Sequence, residues 1–223
     1  MPRSALAAVA ILVAIAVAPA AAKTDAPFHY VNPKQVDLTV FLPPPPDLGS
    51  PQQRADEQAV AQAVSARKRA DFLIAKQSSV RSVFFFAPSV GSDFTPERFP
   101  VTAAFFRRIG SDVEKLIGLA KTYWERPRPS AAQKHAGSYP SGHAAFAAAS
   151  AIVLSELLPS KRDVIFTQAR TFAENRILLG VHYTSDVASG WTAGTLAAYA
   201  MMHDPAFVSD FNKARAELRQ TYH

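Results

Sequence analysis

The chain has no cysteine among its 223 residues, so disulfide bonds cannot contribute to its stability. The fold must therefore be held together by an apolar core. Hydrophobic residues make up 48% of the sequence and charged residues 19%, which is the balance of an ordinary globular protein. A chain of this length buries enough surface for one compact domain, and we expect one here.

The sequence also lacks a long basic run of the kind that indicates nucleic-acid binding, although its net charge is +6 and its pI is 9.7. A mild and dispersed positive charge attracts small anions, whereas proteins that bind nucleic acid concentrate their basic residues on one stretch or face. We therefore expect small phosphorylated or otherwise anionic ligands as partners, and no nucleic acid.

Internal repeats and the alternating pattern of a β-strand are absent as well. Apolar residues instead recur at helical spacing between serine and proline signals, which predicts an all-α fold: a single compact helical domain with a Pro-rich N-terminal arm. No predicted helix after residue 22 is a persuasive membrane span. The expected helices cover residues 52–76, stretches opening at 95 and 111, then 142–158, 160–179, 185–203 and a last one from 205.

Residues 1–22 have the pattern of a cleaved secretory signal. Arg3 precedes an apolar run over residues 5–18, and Pro19 and three alanines follow it. We expect cleavage before Lys23 and a periplasmic or secreted protein. The alternative is an uncleaved membrane anchor, which the short apolar run and Pro19 disfavour.

Residues 23–51 are rich in proline, with four in succession at positions 43–46. Proline fixes φ and removes a backbone donor, so we expect an extended, non-helical arm. Its apolar side chains indicate that the arm packs on the domain, which would then comprise residues 52–223.

A turn-forming run over residues 137–143 delivers Ser141, Gly142 and His143 to the start of an alanine-rich helix. The amide groups at a helix start are unpaired and carry the positive end of the helix dipole, so they can bind one phosphate together. Glycine allows a close approach of the ligand. Taken alone, the same residues also fit an ordinary turn followed by an N-cap.

Three side chains that can carry positive charge share the apolar stripes of three predicted helices: Lys121, His143 and Arg176. A buried charge without a partner is costly, so these side chains either extend to solvent or converge on an anion. For the three together we favour a shared anion.

The neighbouring residues supply further chemistry. Arg128 follows Lys121 by seven positions, and a guanidinium group can bind two phosphate oxygens at once. His182 precedes Asp186 by four positions, so the carboxylate can accept the Nδ1 proton and leave Nε2 as a nucleophile. His143 would then protonate the leaving group.

Together these residues form three ordered motifs: Lys121-x6-Arg128-Pro, Pro-Ser141-Gly142-His143 and Arg176-x5-His182-x3-Asp186. The set resembles the three-part signature of the type 2 phosphatidic acid phosphatase superfamily. Within that superfamily, residues 42–46 and 137–143 are similar to segments of the bacterial class A non-specific acid phosphatases.

The resemblance implies an all-helical phosphomonoesterase that works through a phosphohistidine and needs no metal or other cofactor. It implies that His182 is the nucleophile, that Asp186 orients it, and that His143 is the general acid and base. The implied phosphate-binding residues are Lys121, Arg128, Ser141, Gly142 and Arg176.

Two departures from the superfamily pattern concern the site. Asn175 stands where the third motif normally has serine, which affects the positioning of phosphate. The segment between the first two motifs, residues 130–139, is shorter than expected and could alter the entrance for the substrate.

Three alternative functions stay open at this point. His143, His182 and Asp186 could form a metal site, although the surrounding Lys121 and arginines would repel a divalent cation. Vanadium haloperoxidases resemble the same superfamily. A non-catalytic phosphate-binding protein would retain the same cradle, but the catalytic groups are all present here.

Overall fold

The computed structural model describes residues 27–130 and 137–222, and all regular secondary structure in these two ranges is helical. The predicted all-α fold is confirmed. The predicted signal at residues 1–22 lies outside the described residues. The α-helices are α1 (Leu38–Phe41), α2 (Pro51–Ala66), α3 (Arg69–Gln77), α4 (Ala87–Val90), α5 (Pro100–Trp124), α6 (Gly142–Leu157), α7 (Arg162–Leu178), α8 (Thr184–Met201) and α9 (Pro205–Leu218), and 3-10 turns cover Val83–Phe86 and Pro159–Lys161.

The predicted helix over residues 52–76 is two helices, so the prediction of one element was wrong. Ser50 caps α2 as expected, but Arg67 and Lys68 adopt extended backbone and separate α2 from α3. The Arg67 Nη1 donates to the carbonyl oxygen of Leu178 at 2.6 Å. This long-range contact joins the break to the end of α7, and both α2 and α3 pack on α7.

The two helical stretches predicted to open at 95 and 111 are a single helix, α5. Pro100 lies at its start, and no later proline interrupts it before Trp124. Gly110 lies within α5 where a Cβ atom would be 3.2 Å from the ring of Phe146. Glycine therefore allows α5 to approach α6 closely.

Helix α6 is the centre of the fold and is buried along almost its whole length. It packs against α5, α7 and α8. Its contact with α8 is unusually close, because Cβ atoms at Gly190 and Gly194 would overlap the carbonyl oxygens of Ser141 and Ala145. Small residues on both helices thus bring the start of α6 next to the start of α8.

The segment before α2 contacts the helices at several points. The buried carboxylate of Asp112 on α5 accepts the backbone N–H groups of His29, Tyr30 and Val31. The extended conformation expected for this segment is wrong at α1, where Asp37 caps one helical turn through the N–H of Thr39.

Among the helices in the described ranges, none combines the length and the apolar character required to cross a membrane.

Candidate active site

Four helix ends meet at one place in the fold. Lys121 lies in the last turn of α5 and Arg176 in the last turn of α7, while Ser141 caps α6 and Asp186 lies in the first turn of α8. His182 lies in the short connection between α7 and α8. The helix ends therefore bring basic side chains and open N–H groups to the same region.

His182 and Asp186 form a buried pair. The Nδ1 atom of His182 is 3.2 Å from Oδ2 of Asp186, and the same oxygen accepts the N–H of Tyr183 at 2.9 Å. Asp186 thus caps its own helix while it contacts the imidazole. His182 directly precedes Tyr183, the N-cap of α8, so an acidic side chain in the first turn of α8 reaches back to the imidazole.

The environment determines the charge of each member of this pair. Burial lowers the pKa of His182 to about 4, against the opposing effect of Asp186. Burial by itself raises the pKa of Asp186, but the hydrogen bond from His182 and the charge of Arg126 outweigh it and leave that pKa below its usual value. The pair is therefore a neutral imidazole beside an ionised carboxylate.

Arg128 lies against the other side of His182, and the charge of Lys121 also acts on this imidazole. The Nη1 of Arg128 is 3.2 Å from Nε2 of His182 and donates to the carbonyl oxygen of Val181 at 2.8 Å. The Nζ of Lys121 donates to the carbonyl oxygen of Gly137. Burial, together with the charges of Arg128 and Arg81, lowers the pKa of Lys121 to about 7.

The start of α6 faces the same region. The hydroxyl of Ser141 caps the helix through the N–H of Ala144 at 3.4 Å, and its own N–H donates to the carbonyl oxygen of Asp186 at 2.9 Å. The N–H groups of Gly142 and His143 belong to the unpaired first turn. At Gly142 a Cβ atom would lie 3.2 Å from Nη1 of Arg81.

His143 and Arg176 are connected through Ser79. The Nε2 of His143 is 3.0 Å from the carbonyl oxygen of Ser79, and the Nη1 of Arg176 donates to the Ser79 hydroxyl at 3.4 Å. Burial and the adjacent Arg176 lower the pKa of His143 to about 3. The Nε of Arg176 is buried and has no hydrogen-bond partner among the described residues.

The eight residues predicted from the three motifs therefore lie at the helix ends that meet in this region, and His182 directly contacts Asp186 and Arg128. Within residues 27–130 and 137–222, no group of three or more histidine and acidic side chains is arranged to hold a metal ion.

Part of the chain matches a known protein family. Residues 113–209 match the family described as the PAP2 superfamily. Over this stretch the chain is similar to the PAP2 superfamily. The match begins within α5 and ends within α9, so it includes all three motifs.

Curated relatives match most of the chain. It is 29% identical over 216 residues to a non-specific acid phosphatase of Salmonella typhimurium, covering 88% of this chain and 86% of the relative. The chain is also 29% identical over 201 residues to an acid phosphatase of Zymomonas mobilis, and this match covers 82% of the chain and 76% of the relative. A non-specific acid phosphatase of Providencia stuartii is 28% identical over 212 residues, and the match covers 85% of this chain and 84% of the relative.

A solved structure shares the fold. It is the transmembrane PAP2 type phosphatidylglycerolphosphate phosphatase of Bacillus subtilis, with a TM-score of 0.52 and 22% sequence identity. The similarity covers 70% of this chain and 87% of that structure.

The departure of Asn175 from the PAP2 pattern has a local explanation. Its side-chain amide donates to the hydroxyl of Ser78 at 3.3 Å, and Ser78 in turn donates to the carbonyl oxygen of Ala75. Asn175 therefore holds the segment that carries Ser79. Of the short segment over residues 130–139, positions 131–136 lie outside the described residues.

Sequence reasoning missed three residues at this site: Ser79, Arg81 and Arg126. Ser79 and Arg81 lie far from the motifs along the chain, and nothing in their sequence context indicated a contact. Arg126 lies within the first motif between Lys121 and Arg128, so its position was a usable signal. It is buried and ion-paired with both Asp186 and Asp56.

Proposed function

We propose that this protein is an exported acid phosphatase of broad range, which hydrolyses phosphate monoesters through a phosphohistidine on His182 without a metal. The match of residues 113–209 to the PAP2 superfamily and three relatives named as acid phosphatases support its assignment as a phosphoric monoester hydrolase. The observation that carries the mechanism is the position of His182 between Asp186 and Arg128.

The phosphoryl group would bind where Lys121, Arg128 and Arg176 converge on the start of α6. These side chains, the Ser141 hydroxyl and the first N–H groups of α6 supply donors for its oxygens. The buried and unpartnered Nε of Arg176 supports this proposal, because such a donor is costly unless a ligand satisfies it. A site with this many fixed donors stabilises the charge of a transition state.

In the first step, the Nε2 lone pair of His182 attacks phosphorus and forms the N–P bond. The bond from phosphorus to the ester oxygen breaks, and its electron pair leaves with the alcohol. His143 gives that oxygen a proton. The Nδ1–H group of His182 keeps its proton and donates a hydrogen bond to Asp186. The phosphorylated ring is cationic, so the Asp186 carboxylate stabilises it.

In the second step, water attacks phosphorus, the N–P bond breaks, and its electron pair returns to Nε2. His143, now neutral, takes a proton from the water. Inorganic phosphate is released, and His182 returns to its starting state.

The low pKa of His143 is compatible with its proposed role as an acid. A bound phosphoryl dianion would offset the positive charge of Arg176 and raise that pKa. His143 would therefore take up a proton as substrate binds, and it would be charged only when a leaving group is there to receive that proton.

The deciding experiment is an assay of the purified protein with p-nitrophenyl phosphate, with and without EDTA. We expect hydrolysis at mildly acidic to neutral pH, unchanged activity with the chelator, and competitive inhibition by vanadate that is stronger than by phosphate. Loss of activity in EDTA and recovery with zinc or magnesium would contradict a metal-free reaction. Vanadate-supported oxidation of bromide would instead indicate a haloperoxidase.

A further inference from the structure

We propose that Arg126 is a positioning residue for the nucleophile: it holds the Asp186 carboxylate in place and ionised, while Asp56 and Gln53 on α2 hold Arg126. This inference rests on the proposed role of His182. It adds to the motif residues a guanidinium and a carboxylate that no motif predicts, and it gives α2 a part in catalysis.

The contacts of Arg126 occupy both ends of its guanidinium. Nη1 donates to Oδ1 of Asp186 at 2.6 Å and to the hydroxyl of Ser185 at 2.7 Å. Nη2 donates to Oε1 of Gln53 at 2.6 Å and to Oδ2 of Asp56 at 2.9 Å. The side chain is almost fully buried, so these contacts are shielded from water.

The two oxygens of Asp186 have separate partners. Oδ2 faces the Nδ1 of His182 and the N–H of Tyr183. Oδ1 accepts from Arg126 at 2.6 Å and, over a longer distance of 3.4 Å, from the hydroxyl of Ser138. A carboxylate held at one oxygen only could rotate away from the imidazole. The bond from Arg126 to Oδ1 therefore fixes the direction in which Oδ2 points.

The orientation of the Arg126 guanidinium is itself held by the ring of Tyr183 and by side chains of α2. It lies over the ring of Tyr183 at 4.2 Å. The Asp56 carboxylate also accepts the N–H of Ser185 at 3.1 Å and its hydroxyl. Asp56 thus ties α2 to the first turn of α8, on which Asp186 lies.

Charge gives this arrangement a chemical consequence. If Asp186 took the Nδ1 proton, the phosphorylated ring would become neutral and would be a poorer leaving group when water attacks phosphorus. Arg126 opposes that transfer, because a nearby cation favours the ionised carboxylate. The titratable and charged groups that act on Asp186 are His182, Arg126, Arg128, Lys121, Tyr139 and Tyr183.

A purely structural role is a weaker explanation for a buried ion pair of this kind. Desolvation of the charges offsets much of the attraction, so buried pairs are often no more stabilising than apolar residues of the same shape. Here Arg126 donates to Asp186, and Asp186 in turn contacts the proposed nucleophile His182.

The test is the pH dependence of kcat/KM for Arg126→Met, measured with p-nitrophenyl phosphate. Removal of the cation raises the pKa of Asp186, so we expect the acidic limb to move to higher pH by about one unit or more. We also expect kcat to fall at least tenfold while the inhibition constant for phosphate changes little. Arg162→Met, which removes the half-exposed ion pair with Glu156, is the control and should leave both quantities unchanged.

Two further variants keep the test decisive if Arg126→Met does not fold. Arg126→Lys retains the charge but cannot make the two-ended contact, so kcat should fall with the acidic limb in place. Asp56→Asn removes the negative charge that partly neutralises Arg126, so Arg126 should lower the pKa of Asp186 further. The acidic limb of kcat/KM for this variant should therefore move to lower pH, the direction opposite to that expected for Arg126→Met. Equal losses of kcat in these variants without any movement of the limb would overturn the inference and indicate structural damage alone.

A phosphoenzyme measurement separates failure of this inference from failure of the proposed function. If wild-type protein forms a phosphohistidine on His182 but Arg126→Met leaves the rate and pH profile unchanged, only the role of Arg126 is wrong. If wild-type protein forms no phosphohistidine, the proposed function itself is wrong. Nitrogen NMR of His182 gives an independent signature, because the Nδ1–H tautomer should dominate in wild-type protein and lose population in Arg126→Met.

Discussion

Arg128 places its Nη1 atom 3.2 Å from Nε2 of His182, on the opposite side of the ring from Asp186. One ring nitrogen therefore faces a carboxylate and the other faces a guanidinium. Because a guanidinium can only donate, Nε2 presents its lone pair and the proton resides on Nδ1. A phosphoryl group that displaces Arg128 from Nε2 would meet a nitrogen already in its nucleophilic state.

The two histidines should fail in different ways. His182→Ala should abolish both turnover and phosphoenzyme, because it removes the atom that forms the N–P bond. His143→Ala should still be phosphorylated by p-nitrophenyl phosphate, whose leaving group needs little protonation, and should then accumulate an acid-sensitive, base-stable phosphoenzyme. Quenched-flow labelling measures both outcomes, with His203→Ala as the control. Label retained in His182→Ala, or found on serine or aspartate, contradicts the assignment.

Activity should decline as the pH rises through the pKa of Lys121. Burial, Arg128 and Arg81 lower this pKa to about 7, so the amine loses its charge above neutrality and binds phosphate less well. Lys121→Arg should retain the charge and move the alkaline limb of kcat/KM upward by about one pH unit or more. The control is Lys213→Arg at an exposed ion pair. An unmoved alkaline limb would show that another group controls it.

The free energy of unfolding should fall as the pH drops from about 6.5 toward 4. The folded-state pKa values of His182 and His143 are about 4 and about 3, below the ordinary value of 6.5. The unfolded chain therefore binds more protons in this interval, and linkage makes stability rise with pH there. Urea unfolding at several pH values measures the slope, which His143→Gln should reduce. A stability independent of pH across this interval is the contrary result.

The close contact of α6 and α8 should not tolerate a methyl group at Gly194. A Cβ atom there would overlap the carbonyl oxygen of Ala145, and backbone cannot move aside as a side chain can. We expect Gly194→Ala to lower the free energy of unfolding by about 1–3 kcal/mol and to reduce activity by displacing the start of α6. At Gly118 on α5 a Cβ meets nothing within 4 Å, so Gly118→Ala should stabilise instead by about 0.5–1 kcal/mol. Similar responses of the two variants would disprove this account.

Export remains a prediction from residues 1–22. Protein recovered from the exported fraction should begin close to Lys23, because the small-residue cleavage site directly precedes it. Mass spectrometry of the intact protein measures its N-terminus. Membrane-bound material that retains Met1 or Pro2 would favour an anchor.

Much of the site could be predicted because its signals are local. Ser141 as a cap, Gly142 at the helix start and the four-residue spacing from His182 to Asp186 all depend on neighbours in the chain. The break at Arg67 and the continuity of α5 were predicted wrongly, because contacts with other helices outweigh weak local propensities at these places.

The sequence by itself determined the all-α class, the order of the motifs and the residue types that can bind and transfer a phosphoryl group. Only the tertiary structure decided that Arg126 joins Asp186 to Asp56, a residue 70 positions earlier in the chain. It likewise decided that Gly194 lies against Ala145. The physical reason is that a buried charge is stable only beside the right partner, and a close helix contact forms only where the facing helix has room. In both cases the partner residue is distant in the sequence, and no local pattern identifies it.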